Sequence, residues 1–115
     1  MPAHWGDQQV RFSCPYLAGE VELTEEREKH AGDRHPELLP KIRDRIRMTL
    51  AEPHEVRRSA RSADARLFSR WFDDIMGGKH VVVVVVTETR PRRNWVITAY
   101  VVSKLGKGAV EWARN

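Results

Sequence analysis

Lys29, His30, Arg34 and His35 set two imidazoles beside two cations in one short stretch of chain. Histidine gains and loses its proton near neutral pH, so the pattern suits general acid–base work on an anionic substrate. A histidine that merely caps a helix or pairs at the surface fits the same residues. Five arginines follow, Arg57, Arg58, Arg61, Arg66 and Arg70. Guanidinium groups projecting from a sheet can clamp a phosphate through two parallel hydrogen bonds, which lysine cannot do. They could equally be a solvated face balanced by Asp64, Asp73 and Asp74. Thr98 and Tyr100 stand two apart, so on a strand they share a face, where their hydroxyls could orient a phosphate or a ribose. Ordinary strand propensity accounts for the same pair. Lys79 follows Gly77-Gly78 and opens a run of valines, from where its amine could reach the same cleft.

Other chemistries lack their signatures. There is no phosphate-binding loop of the Walker type, no GxGxxG, no HExxH and no GxSxG. Cys14 is the single cysteine, so a zinc site would have to use histidine and carboxylate alone. His30 and His35 are not at the three- or four-residue spacing that puts two ligands on one helix face. The sequence therefore points to no metal and to no nucleotide or other cofactor.

These side chains need elements to hold them. Thr24 reads as the N-cap of a helix from about Glu25 to Ala31, with Glu25 and Glu26 offsetting the positive helix end and Gly32 ending it. From Pro36, or properly from Pro40, Leu38, Leu39, Ile42, Ile46 and Leu50 form one apolar stripe of a second helix that stops near Glu52-Pro53. The period then changes to two. Segments 54–59, 65–72, 79–88 and 95–103 read as strands, and the third, with six consecutive valines, belongs at the centre of a sheet. If Trp95, Ile97, Ala99 and Val101 face the helices, Thr98 and Tyr100 face away. Val10–Ser13 and Glu20–Leu23 are short extended pieces, and residues 1–19 are either a strand or a loose arm. Ala109–Trp112 is a short tail.

At 115 residues the chain has the size of one domain. The net charge of +4 is unevenly spread: residues 1–40 carry a net −4, residues 41–70 a net +5 and residues 71–115 a net +3. A basic remainder behind an acidic first third favours an anionic partner, phosphate backbone being the commonest. The longest apolar run, Val81 to Val86, is far short of a membrane span, and the first ten residues lack the apolar core of a secretory signal. With one cysteine and no intrachain disulfide possible, the expectation is a soluble cytoplasmic protein that does not engage a membrane.

The series Thr24-Glu25, Lys29-His30 and Arg34-His35-Pro36-Glu37, then Ile46, Leu50, Pro53 and Val56, then Lys79 and Val96-Ile97-Thr98-Ala99-Tyr100, resembles small phage-associated proteins. These are assigned to the barnase–EndoU–colicin–RelE-like (BECR) nuclease superfamily. The resemblance covers roughly residues 20–108. It implies an α+β domain whose N-terminal helices pack on a C-terminal four-stranded antiparallel sheet. It also implies metal-independent endoribonuclease activity, with the ribose 2′-OH attacking the adjacent phosphate to leave a 2′,3′-cyclic phosphate. On that reading His30 or His35 is the acid or base, Arg34, Arg57 and Lys79 hold the phosphate, and Thr98 and Tyr100 orient it. Arg58, Arg66 and Arg70 extend the RNA-binding surface. RNA is the expected partner, and a toxin-like role would add an antitoxin or immunity-type protein. Two other readings stay open. One is a non-catalytic RNA-binding domain that stacks bases on Trp71 or Tyr100. The other is a protein-interaction module anchored by Trp112.

Overall fold

A computed structural model of the chain describes residues 9–114. Two helices and seven strands follow in order: β1 (Gln9–Cys14), β2 (Gly19–Thr24), α1 (Glu25–Arg34), α2 (Ile42–Ala51), β3 (Glu55–Arg58), β4 (Ala65–Phe72), β5 (Lys79–Thr89), β6 (Arg92–Val102) and β7 (Val110–Ala113). Short 3-10 turns occupy Pro15–Leu17 and Pro36–Leu38. The strands form one sheet in the order β1-β2-β6-β5-β4-β3-β7. Every pairing is antiparallel except β2 with β6, which run parallel and meet at Glu22 and Trp95.

The chain is therefore α+β, but the four-stranded antiparallel sheet with leading helices is incorrect. The sheet has seven strands and is mixed, and the helices sit in mid-chain. The four strands from 54 onward are where periodicity puts them, except that β6 starts at Arg92 because Arg92, Arg93 and Asn94 pair with the end of β5. What the smaller sheet lacked is the β1–β2 hairpin ahead of the helices and β7 behind the last turn. Each of these is short and has only a few alternating residues to declare it. Of the first 19 residues, Gln9–Cys14 is a paired strand, while residues 1–8 lie outside the described residues.

Thr24 does cap α1, its hydroxyl accepting the Arg27 N–H at 3.1 Å. The helix runs on through Gly32 because that residue is buried and lets the chain after α1 approach. A β-carbon there would meet the Leu39 side chain at 3.3 Å. Past Pro36–Leu38 the chain restarts as α2, which buries Ile42, Ile46, Thr49 and Leu50. The spacing of these four is one stripe of an amphipathic helix.

The stripe packs on Val56, Phe68, Val81, Val83, Val85, Val96 and Ala99. In β5 these valines alternate with Val82, Val84 and Val86, which face the other way. Val82 is only 2 % exposed, because Leu105, Gly106 and Lys107 cross over that second face beside it. Strand β5 lies fourth in the row of seven and is covered on both sides at its middle, which is why it tolerates valine at six positions in succession. Among the described residues no helix is long and apolar enough to cross a membrane.

Candidate functional site

The register of the sheet sorts the polar side chains between its two faces, because residues opposite one another share a face. On the face away from the helices, Tyr100 pairs with Val82, Val82 with Ser69, and Ser69 with Glu55. The adjoining row runs Thr98, Val84, Leu67, Arg57. His80, two residues before Val82, is on this face too and stands opposite Trp71. Thr98 and Tyr100 thus share the open face as their spacing requires, with Arg57 on the Thr98 row.

A β-bulge lies just before them. Val84 pairs with Thr98 and Val85 with Val96, so Ile97 is the extra residue. The bulge reverses the alternation, and Trp95, expected against the helices, shares the open face with Val86.

His35 reaches this face from outside the sheet. Helix α1 begins where β2 stops and lies along the edge of β6, where Arg27 donates to the Ile97 carbonyl at 3.2 Å. Its C-terminal end brings the His35 ring to 6.0 Å from the Tyr100 ring. Burial raises the Tyr100 phenol above its usual range. His80 is a diagonal neighbour of Tyr100, about 7–8 Å away across β5 and β6. Its ring packs edge-on to Trp71 at 4.9 Å, and burial depresses its protonation, partly offset by the Glu55 carboxylate. Glu55 in turn accepts from Arg57 Nε, and a second Arg57 nitrogen donates to the Gly106 carbonyl. His35, Tyr100, His80, Glu55 and Arg57 therefore surround one patch of sheet, with Trp71 at its margin 38 % exposed.

The remaining sequence candidates lie elsewhere. His30 and Arg34 are exposed on α1 with no contact to Tyr100 or Thr98 among the contacts described. Lys79 pairs with Phe72 and so takes the parity of Val81, on the helix side. Arg58, Arg66 and Arg70 share that side. Arg58 and Arg66 both donate to Glu111, which also accepts from the Tyr16 hydroxyl at 2.9 Å. Burial alone would raise the Glu111 carboxyl, but these three donors outweigh it and hold the group below its usual range. Arg70 donates to the Glu52 carbonyl and lies over the Phe72 ring at 5.8 Å. These three arginines fasten the fold. Trp112, on β7, sits 6.4 Å from Tyr16 in a cleft of about 320 Å³ that also includes Pro15, Ala51, Pro53 and Arg114.

Sequence reasoning passed over Glu55, Ser69 and His80. Their signal was available only through strand pairing: His80 follows Lys79 at a strand start, and nothing local marks it as facing Tyr100. His54 was also missed. Its Nδ1 accepts the Trp71 N–H at 3.1 Å, which makes it a structural member of the sheet edge. Among the described residues no group of three or more His, Cys, Asp or Glu side chains is placed to hold a metal ion.

Chemically, the patch offers two imidazoles, a phenol and a carboxylate–guanidinium pair, the parts of an acid–base site for a phosphate ester. Comparison with protein-family models, with curated proteins and with solved structures finds no match for this chain.

Proposed function

We propose that the open sheet face cleaves RNA without a metal ion, the 2′-OH of one ribose attacking the adjacent phosphate. A new bond forms from the 2′-oxygen to phosphorus, and the bond from phosphorus to the 5′-oxygen breaks. The products are a 2′,3′-cyclic phosphate and a free 5′-hydroxyl. The observation that carries this reading is the presence of His35 and His80 on either side of Tyr100, on one face with Glu55 and Arg57. His80, kept neutral by burial, suits removal of the 2′-OH proton. His35 supplies the proton taken up by the departing 5′-oxygen. Arg57 offsets the charge gathering on the phosphorane, and Tyr100 and Thr98 hydrogen-bond its oxygens. The basic second half of the chain favours an anionic polymer as substrate, and the lone thiol of Cys14 fits action in the cytoplasm.

A second reading, RNA binding without cleavage, is favoured by one observation. Leu105, Gly106 and Lys107 lie over Arg57, Ser69 and Tyr100, and the space beneath them is only about 10 Å³. No ribose enters that space unless the segment moves, whereas bases could stack on Trp71 without any movement.

Purified protein incubated in EDTA with mixed-sequence labelled RNA and a 2′-deoxy control separates the two. Cleavage of RNA alone, leaving cyclic-phosphate ends, is the expected result. Salt-sensitive RNA binding with no product would replace the catalytic reading by the binding one.

A further inference from the structure

A cleft of about 450 Å³ opens at the other end of the same face, where β1, β2 and β6 meet. Its walls include Arg11, Glu20, Glu22, Arg92 and Arg93. The volume lies within the range of pockets that take small molecules. Strand pairing organises these charges. Glu22 stands opposite Arg11 across β1 and β2, and opposite Trp95 across β2 and β6. The Glu22 carboxylate receives Arg93 through both Nε and Nη2, with a closest distance of 3.0 Å. That grip holds the Arg93 guanidinium 5.5 Å from the centroid of the Trp95 ring. Arg92 is fixed by its hydrogen bond to the Leu17 carbonyl. Trp95 is available here only because the Ile97 bulge turned it away from the core.

This combination discriminates among ligands. The lining sets three guanidinium groups against two carboxylates, so an anionic group is accepted, whereas an apolar molecule would have to strip water from those charges. A nucleotide satisfies all of it. Its phosphate can pair with Arg11, its base has a face for the indole and the Arg93 plane, and its exocyclic amines can donate to a carboxylate.

We infer that this cleft, with Trp95 beside it, is a subsite for one nucleotide of a single-stranded RNA that continues along β6 to Tyr100. The inference rests on the RNA reading above and adds a second point of attachment to it. Trp95 and Tyr100 are about 15 Å apart along the strand, so the nucleotide held here is not the one being cleaved.

The probe is a mixed-sequence 2′-O-methyl hexanucleotide, which lacks the attacking hydroxyl and can bind but not react. Binding is followed by tryptophan fluorescence and by the dependence of affinity on salt, in wild type, Arg11→Gln and Trp95→Phe. A quench in wild type that largely disappears in Trp95→Phe is expected. Arg11→Gln, an exposed change on the edge strand, should weaken binding severalfold and lower the slope of log K against log salt by about 0.7, the loss of one single-strand phosphate contact. Cleavage of a dinucleotide should be the same in all three proteins. Wild-type affinity and salt slope in both variants would overturn the subsite, whether or not RNA is cleaved. Weakened binding in the variants, with no cleavage by any protein, would leave the subsite standing and remove the catalytic reading.

Discussion

His54 accepts the backbone N–H of Trp71 through its Nδ1 at 3.1 Å, a bond that an adjacent strand's carbonyl would ordinarily supply. The imidazole can do this only while Nδ1 carries no proton. Burial first, then Arg70, Arg114 and His80, lower the tendency of His54 to protonate. The unfolded chain thus binds this proton more readily than the folded one. The stabilisation is complete above about pH 6.5 and is lost as the pH falls below that toward the folded value. His80 acts in the same direction. Urea unfolding at pH 7.5 and at pH 5 should show lower stability at pH 5. His54→Asn, which keeps an acceptor without a titration, should reduce the difference, and an unchanged difference would remove His54 from the account.

Glu111 ties three elements together, since its carboxylate serves Tyr16, Arg58 and Arg66. Glu111→Gln removes the charge that the two guanidinium groups share, and should cost about 1–3 kcal/mol in denaturant unfolding. The carboxyl is held below its usual range, so this contribution is present above about pH 4.3 and lost as the pH falls. The variant should therefore show a flatter acid limb than wild type. A gain of RNA affinity with no loss of stability, from guanidinium groups freed of their carboxylate, would instead return Arg58 and Arg66 to the phosphate-binding surface.

Substitution of the two histidines tests the chemistry. His35→Ala and His80→Ala should each lower RNA cleavage by roughly 10²–10⁴-fold, the range for removing an acid or a base. His30→Ala should leave the rate within twofold or so of wild type, since His30 points into solvent on α1. Single-turnover rates with a labelled substrate would measure all three. Equal losses at His30 and His35 would move the site onto the helix surface.

Gly78 closes the β4–β5 turn at φ +117° with the Trp71 ring pressed against it. Alanine there meets both an unfavourable backbone region and the indole. Gly78→Ala should lose roughly 1–3 kcal/mol and shift the Trp71 emission. Gly77→Ala, with open space around it at φ +77°, meets only the backbone term and should lose less.

How much of this was legible in the sequence follows from what each feature depends on. The Thr24 cap, the Ile42–Leu50 part of the stripe and the valine strand are local patterns and form where the residues indicate. Leu38 and Leu39, expected on the same stripe, instead lie before α2, with Leu39 51 % exposed. The shared face of Thr98 and Tyr100 is also local, because it needs only a two-residue period. The bulge at Ile97 is not: it arises from pairing with Val84 and Val85, and it moved Trp95 to the opposite face from the one alternation assigns. The site was legible in part for the same reason. His35 and Tyr100 were named separately, but their meeting depends on α1 lying along β6. Arg58 and Arg66 looked like phosphate ligands because their partner, Glu111, is 45 or more residues away in sequence.

The single parallel bridge between Glu22 and Trp95 also bears on how the chain reaches this state. Strands β3 to β6 are sequence neighbours joined by short turns, so they can zip up from contacts made locally. The β1–β2 hairpin must find β6 across more than 70 residues, and loop closure over such a span is slow and entropically unfavourable. The hairpin, and with it the cleft at Arg11, should therefore dock late. Its amides should exchange with solvent well before those of the valine strand.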